Sequence, residues 1–354
     1  MPPAARPRRR LRAAGGALAL AVVIGCVAAG STRTAGGDRT ATGGVALAAA
    51  RYPVDRPVLV RPGRPPLLRP PQAGTPQAGT AGIAGCPLFP PDNPWRRVIS
   101  GAPLNPRSAA WVANIGGGRF LHPDFGSDPS YGIPYSVVPA GQPGVPIRFT
   151  AYGDESDPGP YPIPSGARIE AGGDAHVLVA SGDCHLYELY GAARDGSGWT
   201  AQSGAVFDLR SNALRPAGWT SADAAGLPIL PGLVRRDEVL AGHIDHALRF
   251  TIATTQRGYL APATHQAGST TDPNVAPMGA RFRLKASFDL SHYSGAARVI
   301  LQALKTYGMF VADNGSDWFL SGATDSGWND ADLDQLKRVP GSAFEAVDTG
   351  TVQH

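Results

Sequence analysis

Short runs in which apolar and polar residues alternate recur from residue 175 onward, at residues 175–180, 184–190, 204–209, 244–252 and 281–288. Period-two alternation bounded by Gly, Pro, Asn, Asp and Ser predicts half-buried strands. Ser181-Gly182-Asp183 predicts a tight turn joining the first two of them. A different period appears once. Between Ser294, a capping residue, and Gly308, a stop, the residues Ala296, Val299, Ile300, Ala303, Leu304 and Tyr307 share one helical face. A strand at 309–312, a turn at Asn314-Gly315, a strand at 318–320 and a short helix over 330–337 follow. The expected fold is mainly β, an antiparallel, jelly-roll-like β-sandwich with one clear and one short peripheral helix; the alternative is α+β.

The N-terminus reads differently. A cationic stretch from Arg6 to Arg12 precedes an uncharged apolar run to about Ala29, the form of an export signal over residues 1–29. Val23-Ile24-Gly25-Cys26 has the form of a bacterial lipobox, so Cys26 is a candidate for lipidation; ordinary cleavage near Ala28-Ala29-Gly30 is the other reading. Residues 30–85 have no amphipathic period, and Pro-Gln-Ala-Gly-Thr is repeated in tandem at 71–80, so this stretch reads as a linker. Residues 86–350 then form one globular domain. Export places it at the cell surface or outside a bacterial cell, with a membrane contact only through a lipid on Cys26.

Charge sharpens this division. The whole chain is formally +4, but twelve arginines and only two aspartates precede Cys86, leaving 20 basic and 26 acidic side chains beyond it. A net-acidic domain argues against nucleic acid as a partner. With Cys26 set aside, Cys86 and Cys184 remain, an even pair that in an oxidising compartment predicts a disulfide stabilising the fold by ~4 kcal/mol.

Leu304-Lys305-Thr306-Tyr307-Gly308-Met309, Ala312-Asp313-Asn314-Gly315 and Gly218-Trp219-Thr220-Ser221-Ala222-Asp223-Ala224-Ala225-Gly226 resemble a group of secreted bacterial proteins of unassigned function, over a span from Cys86 to about Asp348. The resemblance brings no mechanism. Nucleophile-elbow, zinc-protease, phosphate-loop and dinucleotide motifs are missing from any supporting context.

Candidate chemistry therefore rests on strand geometry. If Asp195-Gly196-Ser197-Gly198 turns a hairpin centred near residue 198, Glu188 lies opposite Asp208, with Leu186, Tyr190, Val206 and Arg210 on their face and Tyr187, Leu189, Ala205, Phe207 and Leu209 on the drier one. Two opposed carboxylates raise one another's pKa, the arrangement of a retaining glycosidase. The plain alternatives are that Arg210 neutralises two surface acids or that the register shifts by two. In the run from His243 to Phe250, His243, Asp245 and Arg249 share a face, and His246 points the other way as a core histidine, which argues against zinc. Arg281, Arg283 and Lys285 line one side of their strand. If that strand neighbours the run holding His243 and Arg249, with Tyr259 or His265 carrying protons, they suggest a lyase site for an acidic glycan; solvated strand charges are the equal alternative. The loop holding Asp154, Glu155 and Asp157 is rich enough in oxygen ligands for a structural calcium, while Asp313 to Asp317 reads more simply as a hairpin turn. No organic cofactor is expected. Trp199 and Trp219, in Gly/Ser-rich loops, are candidates for stacking on sugars. The expected function is a secreted or surface-anchored enzyme cleaving a polysaccharide or cell-wall glycan with Glu188 and Asp208. The alternatives are a polysaccharide lyase and a non-catalytic glycan-binding or cell-envelope protein.

Overall fold

Cys184 and Ser181 close the turn predicted around Gly182, with the Cys184 amide donating to the Ser181 carbonyl at 2.9 Å, and the strands on either side pair antiparallel. The structure, a computed structural model, describes residues 82–354. The export signal, Cys26 and almost all of the linker lie outside the described residues. The described strands are β1 (Gly82–Ile83), β2 (Cys86–Pro87), β3 (His122–Asp124), β4 (Tyr135–Val138), β5 (Ile147–Phe149), β6 (Val177–Ser181), β7 (His185–Tyr190) and β8 (Ala193–Asp195). They continue with β9 (Gly198–Ala201), β10 (Ser203–Asp208), β11 (Leu248–Ile252), β12 (Arg281–Leu284), β13 (Met309–Asn314), β14 (Phe319–Ser321) and β15 (Phe344–Ala346). Four helices, α1 (Ser108–Ile115), α2 (Arg236–Ala241), α3 (Gly295–Thr306) and α4 (Asp330–Leu333), accompany them.

The sheets are mixed. A six-stranded sheet runs β15-β12-β13-β11-β14-β3, a four-stranded one β10-β7-β6-β4, and a three-stranded one β5-β9-β8. The expectation of antiparallel pairing throughout is corrected: β4 with β6, β5 with β9, β11 with β13 and β14 with β3 are parallel. Parallel neighbours need long crossovers, and the chain supplies them; β12 and α3 lie between β11 and β13. α3 occupies the predicted helix, buries Ala296, Ile300, Ala303 and Leu304, and is followed by Gly308 at φ +70°. α1 and α2 are additional to the expected elements; α2 ends at Gly242, φ +86°, so the chain reaches extended geometry only at Leu248 rather than at Ile244.

Residues of the six- and four-stranded sheets share one large core, including Phe250, Phe282 and Leu320 from the first and Leu178, Leu186 and Phe207 from the second. On the opposite face of the four-stranded sheet, Val177, Val179 and Leu189 pack with Tyr161, Trp199 and Ala201, a second core supplied by the small sheet. That second layer explains why both faces of β7 bury side chains, Leu186 and Glu188 on one and Leu189 on the other. Ile83 joins the main core, so packing includes residues before Cys86.

Cys86 and Cys184 form the predicted disulfide, their Cα atoms 5.4 Å apart and 98 residues apart in sequence. By loop-closure entropy a ring of that length stabilises the fold by about 4–5 kcal/mol. Replacing both cysteines by serine should lower the denaturant midpoint correspondingly without changing the far-ultraviolet spectrum of the fold. An unchanged midpoint would mean that the cross-link constrains nothing.

Candidate functional site

Strand alternation builds one wall of a cleft. β11 sends Leu248, Phe250 and Ile252 into the core, so Arg249 and Thr251 point to the other face. Phe250 lies opposite Leu320 and Thr251 opposite Phe319, which puts Ser321 of β14 beside Arg249; the parallel pairing of Ser321 with Asp124 adds β3 to the row. β13 joins through a bulge. Phe250 pairs with Val311 but Thr251 with Asp313, leaving Ala312 as the extra residue. Without that bulge Asp313 would fall on the face of Ile252, in the core; with it, the carboxyl turns outward beside Thr251. Asp124, Ser321, Arg249 and Asp313 thus come from four adjacent strands.

Two loops complete the site. In one, the Glu170 amide bonds the His176 carbonyl at 2.9 Å. In the other, Ser203 Oγ donates to the Ser221 carbonyl at 2.7 Å and Gly226, at φ +72°, passes so close to Thr264 and the Trp219 carbonyl that no side chain fits. This second loop carries Asp223, which is 1% exposed. Arg249, 3% exposed, donates from Nε and Nη2 to Asp223 Oδ2 at 3.2 and 2.8 Å and from Nη1 to Ser321 Oγ at 2.8 Å. Its Nη2 also lies 4.0 Å from Asp313 Oδ2.

His176 meets an acceptor at each ring nitrogen. Nδ1 faces the Glu170 carboxylate and Nε2 donates to the Ala222 carbonyl at 2.9 Å. Burial alone lowers its pKa, but the hydrogen bond and charge of Glu170 outweigh that, and the net shift is upward. An imidazolium satisfies both acceptors. Pairing Glu170 with His176 and Asp223 with Arg249 leaves Asp124, Asp174 and Asp313 to set the sign of the cleft, which is acidic.

Asp313 is the most perturbed of these. Its side chain keeps 24% of its exposure through the cleft, yet protein surrounds it, and burial first, then the charge of Asp223, push its carboxyl up to about 7 against the opposing pull of Arg249 and His176. Burial also raises Asp124, with Glu170 adding to the shift and His122 opposing it. Two cavities, of about 280 and about 270 Å³, meet at Asp174, Asp313 and Asn314. The first is walled by Asp124, Tyr131, Glu170, His176, Arg249 and Phe319, and the second by Tyr152, Tyr190, Ser203, Thr220 and His265.

The residues expected to act are mostly elsewhere. Glu188 faces Ala205, and Asp208 faces His185, because the hairpin centres between Gly196 and Ser197 and not on Gly198. The register differs by an odd number of residues, so the two acids point to opposite faces and form no pair. Glu188 is 0% exposed and accepts from the Ile229 and Leu230 amides at 2.8–3.0 Å, at the start of a 3₁₀ turn; burial pushes it up to about 7, but it does not line the cleft. Asp208 accepts from the Arg210 amide and Nε at 2.9 and 3.0 Å, bonds that hold its carboxyl low on the surface. Asp208→Asn should leave melting and function unaltered within about 0.5 kcal/mol, and thermal melts check it; a large loss would restore Asp208 as a functional residue.

The lyase set is not gathered either. His243 pairs with Asp245 at the surface, Tyr259 is buried where it bridges Met278 and Gln353, and Lys285 Nζ donates to the Ser342 carbonyl at 2.8 Å. Arg281 is spent on the Pro94, Arg97 and Tyr307 carbonyls over the Phe310 ring, and burial pushes its guanidinium down to about 9. Arg283 bonds Glu345. Arg249 and His265 do reach the cleft, one in each cavity. His246 is the core histidine expected, bonded to Glu238.

In the loop expected to hold calcium, Arg215 Nη1 pairs with Asp157, its Nη2 with the Glu155 carbonyl at 2.6 Å and its Nε with the Thr220 carbonyl at 2.7 Å, while Glu155 Oε2 accepts the Thr220 amide; Asp154 belongs to the same short turn. Among the described residues, no group of three or more His, Cys, Asp or Glu is arranged to hold a metal ion. Asn314-Gly315 is not a hairpin: β11 lies between β13 and β14, and the loop crosses it, tied by Thr251 Oγ1 to the Ser316 carbonyl and by the Ala253 amide to Asp317. Trp199 is in the second core beneath Arg194, and Trp219 is half-buried under Arg215. Comparison of the chain with protein-family models, with curated proteins and with solved structures finds no match.

Proposed function

We propose that the domain is an exported hydrolase of neutral polysaccharide, with its chemistry at Asp313 rather than at Glu188. What supports this most is Asp313 itself: a carboxyl held near pKa 7 on the wall of an open cleft, at the junction of two cavities. A protonated carboxylic acid at neutral pH is the proton donor a glycosidic oxygen needs as its bond to carbon breaks. Asp174, exposed and sharing the same junction, is the second carboxylate, either directing water or attacking the sugar carbon. Exposed rings of Tyr131 and Tyr152, one on each cavity, offer faces for sugar stacking.

The same charges speak against a lyase. A uronate entering the first cavity would meet Asp124 and Asp174, while the cations Arg249 and His176 are already paired with Asp223 and Glu170, and like charges disfavour it. The purified protein should therefore release new reducing ends from a neutral polysaccharide in a panel of neutral and acidic glycans, without absorbance from unsaturated products. Unsaturated products from an acidic glycan, or no release from any, would reject the proposal.

A further inference from the structure

Asp313 has space on both sides. A site that trims chain ends is closed behind its acid, because only a terminal unit has to fit. Here the cavity holding Tyr131 and Phe319 and the cavity holding Tyr152 and Tyr190 meet at Asp313 and Asp174, each with its own aromatic rings. Tyr190 lies within electrostatic reach of both Asp174 and Asp313, so the second half adjoins the acids directly.

We infer that the cleft is a through-groove that takes the interior of a glycan chain, with saccharide units bound on both sides of Asp313. Cleavage within the chain rests on the hydrolase reading; length-dependent binding does not. Exposed Ala171 lines the first half and exposed Ala267 the second, so a bulky side chain at either fills that half without entering the core.

Binding is measured by calorimetry with gluco-, xylo- and manno-oligosaccharide ladders, from disaccharide to hexasaccharide, on the Asp313→Asn protein. On at least one ladder the hexasaccharide should bind at least about tenfold more tightly than the disaccharide. Ala171→Trp and Ala267→Trp should each remove that gain, with thermal melts confirming that both variants remain folded. Equal affinity across every ladder, no binding to any, or a gain that survives both tryptophan substitutions would overturn the through-groove. Wild-type protein run on the same ladders separates the two ideas. A length gain without cleavage upholds the groove and rejects the hydrolase, whereas end-trimming without a length gain does the reverse.

Discussion

Asp313→Asn should lower turnover of a cleaved glycan by about 10²–10⁴-fold, the range for loss of a general acid, while leaving the protein folded. The amide keeps the shape and the hydrogen bond accepted from the Asn314 amide at 2.7 Å, and removes only the titrating proton. Stability should change in the opposite sense from activity. The folded state holds the Asp313 proton up to about 7, whereas an ordinary aspartate releases it near 3.8. Between those values the folded protein binds more protons than the unfolded one, so the Asp313 contribution is fully present below the lower value and is lost as pH rises through the upper one. The asparagine variant cannot ionise. Its melting temperature should match wild type at about pH 4 and exceed it at about pH 8. A variant that melts lower at both would show Asp313 to be a structural anchor.

Asp223→Ala should be the most destabilising single substitution in the site, at about 3–5 kcal/mol, because it strands a buried guanidinium. Arg249 would keep its bond to Ser321 but lose both contacts to Asp223. Adding Arg249→Met should recover much of the loss, since an apolar chain of similar length needs no counter-charge; chemical denaturation of the two single variants and the double variant tests this. In Asp223→Ala the alkaline limb of activity should also move. The Asp223 charge helps to hold the Asp313 proton and Arg249 opposes it, so the descending limb shifts to lower pH. A limb that stays in place would show that the two carboxyls do not communicate.

Local periodicity made much of the fold legible. α3, the β6–β7 turn, most strand positions and the disulfide follow from apolar spacing, a glycine stop and an even cysteine count. What failed was non-local. Centring the glycine-rich turn on Gly198 places Glu188 opposite Asp208, whereas Glu188 pairs with Ala205, three residues from Asp208, and that odd offset puts the two acids on opposite faces. β8 and β9, which form a separate small sheet inside that connection, carry no alternation long enough to show it. Of the site, Arg249 and His265 are legible as candidates, whereas Asp313 and Asp223 stand out only within stretches that carry a resemblance or a turn, with no role attached. The role of Asp313 depends on the Ala312 bulge, which pairing across β11 reveals and spacing does not. A charged residue closing the apolar run Met309-Phe310-Val311-Ala312, and a histidine opening Val177-Leu178-Val179-Ala180, were the available signals. Asp124, Glu170 and Asp174 lie in loops or at a strand end, where an acid is unremarkable until the chain brings it to a cleft.

The most direct measurement is the titration of the Asp313 carboxyl itself, by carbon-13 NMR of aspartate-labelled protein, with the signal assigned by its loss in Asp313→Asn. A midpoint near 7 is expected from its burial beside Asp223. A midpoint near the ordinary aspartate value of 3.8 would leave the cleft without a proton donor at neutral pH and contradict the assignment of Asp313 as its acid.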